Sequence, residues 1–209
     1  MNQQYGRLSN VATVSDTAQR RQMGVVCRNW FLLTSERILA TKEELLKTNG
    51  YSLQWKMNIE TLDHEIYIKR TCELAREAGE RDDDPYGSLL VHDGEVIMEE
   101  TNRINTENDI SYHPELVLAR RAAEELEPEV VAETIMYTST EPCSMCSTGM
   151  AYAGLGGVVY SVSGEHASEL RGGGTGGIPC DEVFDRLGAD ITVLGPVLKD
   201  EGTAVHRSF

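Results

Sequence analysis

Two cysteines three residues apart, Cys143 and Cys146, follow Pro142 directly in the stretch TEPCSMCSTGM. Such a pair serves as a redox couple, as half of a structural metal site, or as part of a catalytic one. Thirty residues before Cys143, His113 and Glu115 bracket Pro114 in YHPELVLARRAAEEL. Proline suits the first turn of a helix, where its missing N–H is no loss, and it pushes the preceding residue out of helical geometry. His113 is therefore expected at a helix mouth with Glu115 in the first turn beside it, and Cys143 and Cys146 at the start of a later helix. If both helices begin at one edge of a sheet, His113, Cys143 and Cys146 can converge on a common centre. That donor set suits Zn2+, one ion per chain, and three protein ligands with water in the fourth position mark a catalytic site rather than a structural one. A helix start and a metal both favour the thiolate form of cysteine.

The elements that must position these residues can be read from about Met57 onward. MNIETLDHEIYIKRTCELAREAGE carries apolar residues at roughly three- and four-residue spacing and reads as a helix stopped near Gly79. Ser88 to His92, Asp93-Gly94 and Glu95 to Glu100 read as a strand, a tight turn and a strand. A helix is expected from Pro114 to Leu126, a strand from Glu133 to Ser139, a short helix from Cys143 to Ala153 and a buried strand from Val158 to Val162. Beyond the glycine-rich loop Gly172 to Gly177 come a helix at Asp181 to Leu187, a strand at Ile191 to Leu194 and a final helical stretch towards Phe209. A helix between the last two strands makes them parallel neighbours. The fold expected is α/β, a three-layer α/β/α sandwich with a five-stranded mixed sheet.

With these residues in place, His113-Pro114-Glu115 and Pro142-Cys143-Ser144-Met145-Cys146 resemble the H-x-E … P-C-x-x-C signature of the cytidine deaminase-like superfamily of zinc-dependent deaminases. DPYGSLLVHDGEVIMEETNRI resembles that superfamily's first two strands, and MYTSTEPCSMCSTGMAYAGLGGVVYSVSG its strand, metal helix and strand. The resemblance covers about residues 57–209 and is nearer to the guanine, cytosine and tRNA adenosine deaminases. Many of those have alanine where this chain has Pro114, which alters no ligand. The resemblance implies zinc on His113, Cys143 and Cys146, Glu115 as the catalytic proton carrier, and Asn102 as a substrate contact. Main-chain groups near Thr140 and Glu141 would orient the ring, and Tyr112 or Phe209 would stack on it. Plain packing is the alternative for both aromatics, and a turn role the alternative for Asn102.

Composition bounds the function classes. The chain has 209 residues and a formal net charge of −15. Residues 1–56 hold 8 Lys+Arg and 4 Asp+Glu, leaving 11 basic and 30 acidic residues in 57–209, so the two parts carry about +4 and −19. So negative a domain repels polyphosphate, which disfavours a nucleic-acid partner and favours a small nucleobase or nucleoside. It also suits a high-salt cytoplasm. Nothing approaches the ~20 consecutive apolar residues of a membrane helix, no signal peptide is recognisable, and five cysteines make an odd set for disulfides, so a cytoplasmic location is expected. The change of charge near Lys56 suggests residues 1–56 as an N-terminal extension, flexible or upstream of a natural start at Met57, and 57–209 as the domain. The expected activity is hydrolytic deamination of a free nucleobase or nucleoside by a homodimer, the dimer being implied by the resemblance. The alternatives are a tRNA adenosine deaminase and a zinc-containing binding protein without catalysis.

Overall fold

The computed structural model describes residue 59, residues 61–173 and residues 177–209. The expectations for residues 1–56 and for a start at Met57 lie outside the described residues, as does the middle of the Gly172 to Gly177 loop.

The first complete helix, α1, runs His64–Gly79 and opens where Asp63 accepts a hydrogen bond from the Glu65 amide. β1 (Gly87–His92) and β2 (Glu95–Thr101) form an antiparallel hairpin whose turn residues Asp93 and Gly94 both take positive φ, which suits a right-twisted two-residue turn. A one-turn helix α2 (Ile104–Glu107) leads to α3 (Pro114–Glu125), and a short α4 (Pro128–Ala132) to β3 (Ile135–Thr140). Then come α5 (Ser144–Ala153), β4 (Gly157–Val162), α6 (Gly164–Leu170), α7 (Cys180–Leu187), β5 (Thr192–Leu194) and α8 (Lys199–His206).

The sheet order is β2-β1-β3-β4-β5. β1 pairs antiparallel with β2 and β3, whereas β3, β4 and β5 are parallel, as a helical crossover between the last strands requires. Strand alternation then divides the core. Leu90, Met136 and Val158 meet Leu118, Ala122, Met150 and Phe184 from α3, α5 and α7 on one face. Leu89, Val91, Tyr137 and Val159 meet Ile68, Cys72 and Val205 from α1 and α8 on the other. This is the three-layer α/β/α sandwich with a five-stranded mixed sheet. Four elements differ from the sequence reading: α1 begins seven residues after Met57, at the Asp63 cap, and the short helices α2, α4 and α6 stand where the sequence predicts no element.

Candidate active site

β2 and β3 both deliver the chain to the same end of the sheet, and two helices start there. His113 is the N-cap of α3 in extended conformation (φ −76°, ψ 133°), with Pro114 in the first turn. Cys143 is the N-cap of α5 (φ −67°, ψ 167°), and the Ser147 amide donates to its carbonyl. The donor atoms of His113, Cys143 and Cys146 lie within 4.8 Å of one another. The Cys143 and Cys146 sulfurs are 3.5 Å apart, and His113 Nδ1 is 3.8 Å from the Cys143 sulfur. Bonds of about 2.3 Å to sulfur and about 2.0 Å to nitrogen in tetrahedral array need separations of about 3.8 and 3.6 Å. The residues present therefore fit a zinc ion with no backbone rearrangement.

Glu115 lies in the first turn of α3, is 5% exposed, and faces β3. Thr138 Oγ1 donates to its Oε1 at 2.8 Å, and the Ser88 hydroxyl donates to Thr138 Oγ1 at 2.9 Å, so two strands fix the carboxyl's orientation. Its other oxygen is 3.6 Å from the Cys146 sulfur. Burial raises the Glu115 pKa above the ordinary carboxylate value, against the pull of its hydrogen bonds and of His113. Cys143 is held down to about 4, chiefly by the Cys146 thiol and by His113. The same shared proton and burial push Cys146 well up. The thiol pair thus carries one ready anionic sulfur at a helix start.

A cavity of about 340 Å3 opens over these groups, lined by Tyr86, His113, Glu115, Thr140, Cys143 and Arg171 among others. That is within the range of small-ligand pockets. Glu141, also in the lining, accepts from the amide of Gly164 at 2.9 Å and from that of Cys180 at 2.9 Å, tying the loop before Cys143 to the starts of α6 and α7. Its own amide donates to Val162, so this main-chain group is not free to orient a ring.

Asn102 is fully buried just after β2 and outside the cavity lining: its amide donates to Tyr86 O and its Oδ1 accepts from the Ile104 amide, while Nδ2 has no partner among the described residues. A buried donor left open is a candidate for a ligand contact. Tyr112 is half-buried, bonded through its main chain to Arg103 and Asp109, and Phe209 lies over Gly79 at the end of α1. Neither lines the cavity. The aromatic that does is Tyr86, whose ring meets His206 edge-on at 5.7 Å. Its only sequence signal is a place just before β1.

The family model described as MafB19-like deaminase matches residues 62–177, more than half of the chain and all of the site just described up to Gly177. The chain belongs to the MafB19-like deaminase family. The chain is 35% identical over 99 residues to a tRNA-specific adenosine deaminase of Agrobacterium fabrum, a match covering 47% of this chain and 65% of the relative. It is 34% identical over 109 residues to a guanine deaminase of Bacillus subtilis, covering 52% and 70%. A probable cytosine deaminase of Schizosaccharomyces pombe is 29% identical over 156 residues, covering 68% of this chain and 90% of the relative. Among solved structures, a guanine deaminase from Nitrosomonas europaea superposes with a TM-score of 0.56 at 20% identity, covering 68% and 81%, which supports the fold alone. Among the described residues no helix is long and apolar enough to cross a membrane.

Proposed function

We propose that this protein is a zinc-dependent hydrolytic deaminase that releases ammonia from the amidine carbon of a free guanine- or cytosine-like base or its nucleoside. The observation that carries this reading is the convergence of His113, Cys143 and Cys146 with a buried, hydrogen-bonded Glu115 that does not join them as a fourth ligand. A zinc ion held by the three side chains would supply the Lewis acidity that brings the pKa of water from ~16 towards 7. Glu115, with a raised pKa and an orientation fixed by Thr138, is suited to accept a proton from water, pass it to the ring nitrogen, and return a second proton to the departing ammonia. Asn102 Nδ2, a buried open donor whose main chain bonds Tyr86 though it does not itself line the cavity, is the candidate hydrogen-bond contact to the ring, and Tyr86 forms part of the cavity wall. Similarity to guanine and cytosine deaminases and the acidic character of the domain support a small substrate.

The second reading, deamination of adenosine in tRNA, is supported by the 35% identical relative. It asks for a basic face that residues 57–209, with 11 basic and 30 acidic residues, offer less readily. As a homodimer, the protein would find exposed apolar surface at Met145 and Tyr152, seven residues apart on α5. Replacing Glu115 tests the catalytic assignment. Glu115→Gln should bind about one zinc per chain by elemental analysis while losing at least about 100-fold in turnover. A zinc-free wild type contradicts the ligand set, and an active variant contradicts the role of Glu115.

A further inference from the structure

The groups assigned above leave one charged residue of the cavity lining without a role. Arg171, the residue after α6, is there the one Lys or Arg among the described lining residues. Its guanidinium carbon lies 4.8 Å from the centre of the Tyr86 ring, and one Nη donates to Asp84 Oδ1 at 3.2 Å. Both members of that ion pair are more than a third exposed, at 37% and 41%, so stability gives little reason for this arginine. A guanidinium carries five N–H donors in a rigid fork, and among the described residues this side chain makes no other hydrogen bond. A cation stacked on a cavity wall, with most of its donors unspent, is placed to meet acceptors on whatever enters.

We propose that Arg171 is a specificity-determining residue that reads two neighbouring acceptors, a ring nitrogen and an adjacent carbonyl, on the edge of the substrate opposite its reacting carbon. The inference rests on the nucleobase deaminase reading. With the amino-bearing carbon turned towards Glu115, a 2-amino-6-oxopurine presents its N7 and O6 on the far side, and this pair accepts two N–H groups from one guanidinium. Cytosine, reacting at C4, and adenine, reacting at C6, have no such acceptor pair opposite the reacting carbon. Arg171 therefore selects guanine-type rings, and Tyr86 beneath the fork holds it in place.

The test compares guanine with 7-deazaguanine, which lacks the N7 acceptor, in wild type, Arg171→Ala and Arg171→Lys, with the melting temperature of each recorded. Wild type should favour guanine by roughly 10- to 100-fold in kcat/KM. Arg171→Ala should lose about that factor on guanine, mostly through KM, and much less on 7-deazaguanine, so that the two bases are treated alike. Arg171→Lys, a point charge without the fork, should recover little of the preference. Equal losses on both bases, or a guanine preference that survives in Arg171→Ala, overturn the proposal. Wild-type turnover of cytosine or adenosine but not guanine overturns it while leaving the deaminase reading intact; no turnover of any ring removes that reading and this inference with it.

Discussion

Glu115 combines two demands that oppose each other: burial disfavours its charge, and hydrogen bonds accepted from Thr138 at 2.8 Å and from the Cys146 thiol at 3.6 Å favour it. A carboxyl so balanced can change protonation state during a reaction. Thr138→Val keeps the shape but removes the donor to Glu115 and the acceptor for Ser88, both buried. It should cost about 1–3 kcal/mol in chemical denaturation and about tenfold in kcat; an unchanged kcat would show that Thr138 does not orient Glu115. His113, Glu115, Cys143 and Cys146 were legible in the sequence because proline spacing and ligand spacing are local. Thr138, Tyr86 and Arg171 were not: Thr138 lies in a strand whose every residue is buried, and the other two reach the cavity from segments distant in sequence.

At the scale of elements, the site depends on helix starts being brought to one sheet edge, and Glu141 joins three of them. It stands two residues before Cys143 and accepts from the first amides of α6 and α7. Such orphan N–H groups have no partner within their own helices. Glu141→Ala should therefore destabilise the fold by about 1–3 kcal/mol and reduce activity more than a surface substitution would. A full-stability variant measured by urea denaturation would show that water replaces the carboxylate without loss. The strands and long helices followed from periodicity and turn chemistry, down to the positive-φ pair at Asp93 and Gly94. α6 was missed although Ser163 accepts from the His166 amide as a cap should, because its seven residues are too few to show a helical apolar stripe before the glycine-rich loop.

At the scale of the whole molecule, α8 closes the second face of the sheet and brings His206 to the back of the cavity, 2.8 Å from Thr140 Oγ1 and edge-on to Tyr86. Burial, with the charges of Arg171 and His166, lowers its pKa from 6.5 to about 4. Between those values the unfolded chain binds a proton that the folded chain refuses. Stability from this group is thus complete above about pH 6.5 and is lost as the pH falls towards about 4, by up to about 3 kcal/mol. Urea midpoints taken from pH 7 to pH 4 should fall less in His206→Gln than in wild type, and parallel curves would contradict the linkage. The sandwich itself was legible from the order of strands and helices, whereas the packing of α8 behind the cavity, a contact 66 residues apart in sequence, was not. The most direct measurement is ammonia release by the full chain, at low and high salt, from guanine, cytosine, adenine, their nucleosides and an RNA anticodon stem-loop. Turnover of a free base or nucleoside is the predicted result; release from the stem-loop alone, or from none of them, would contradict it.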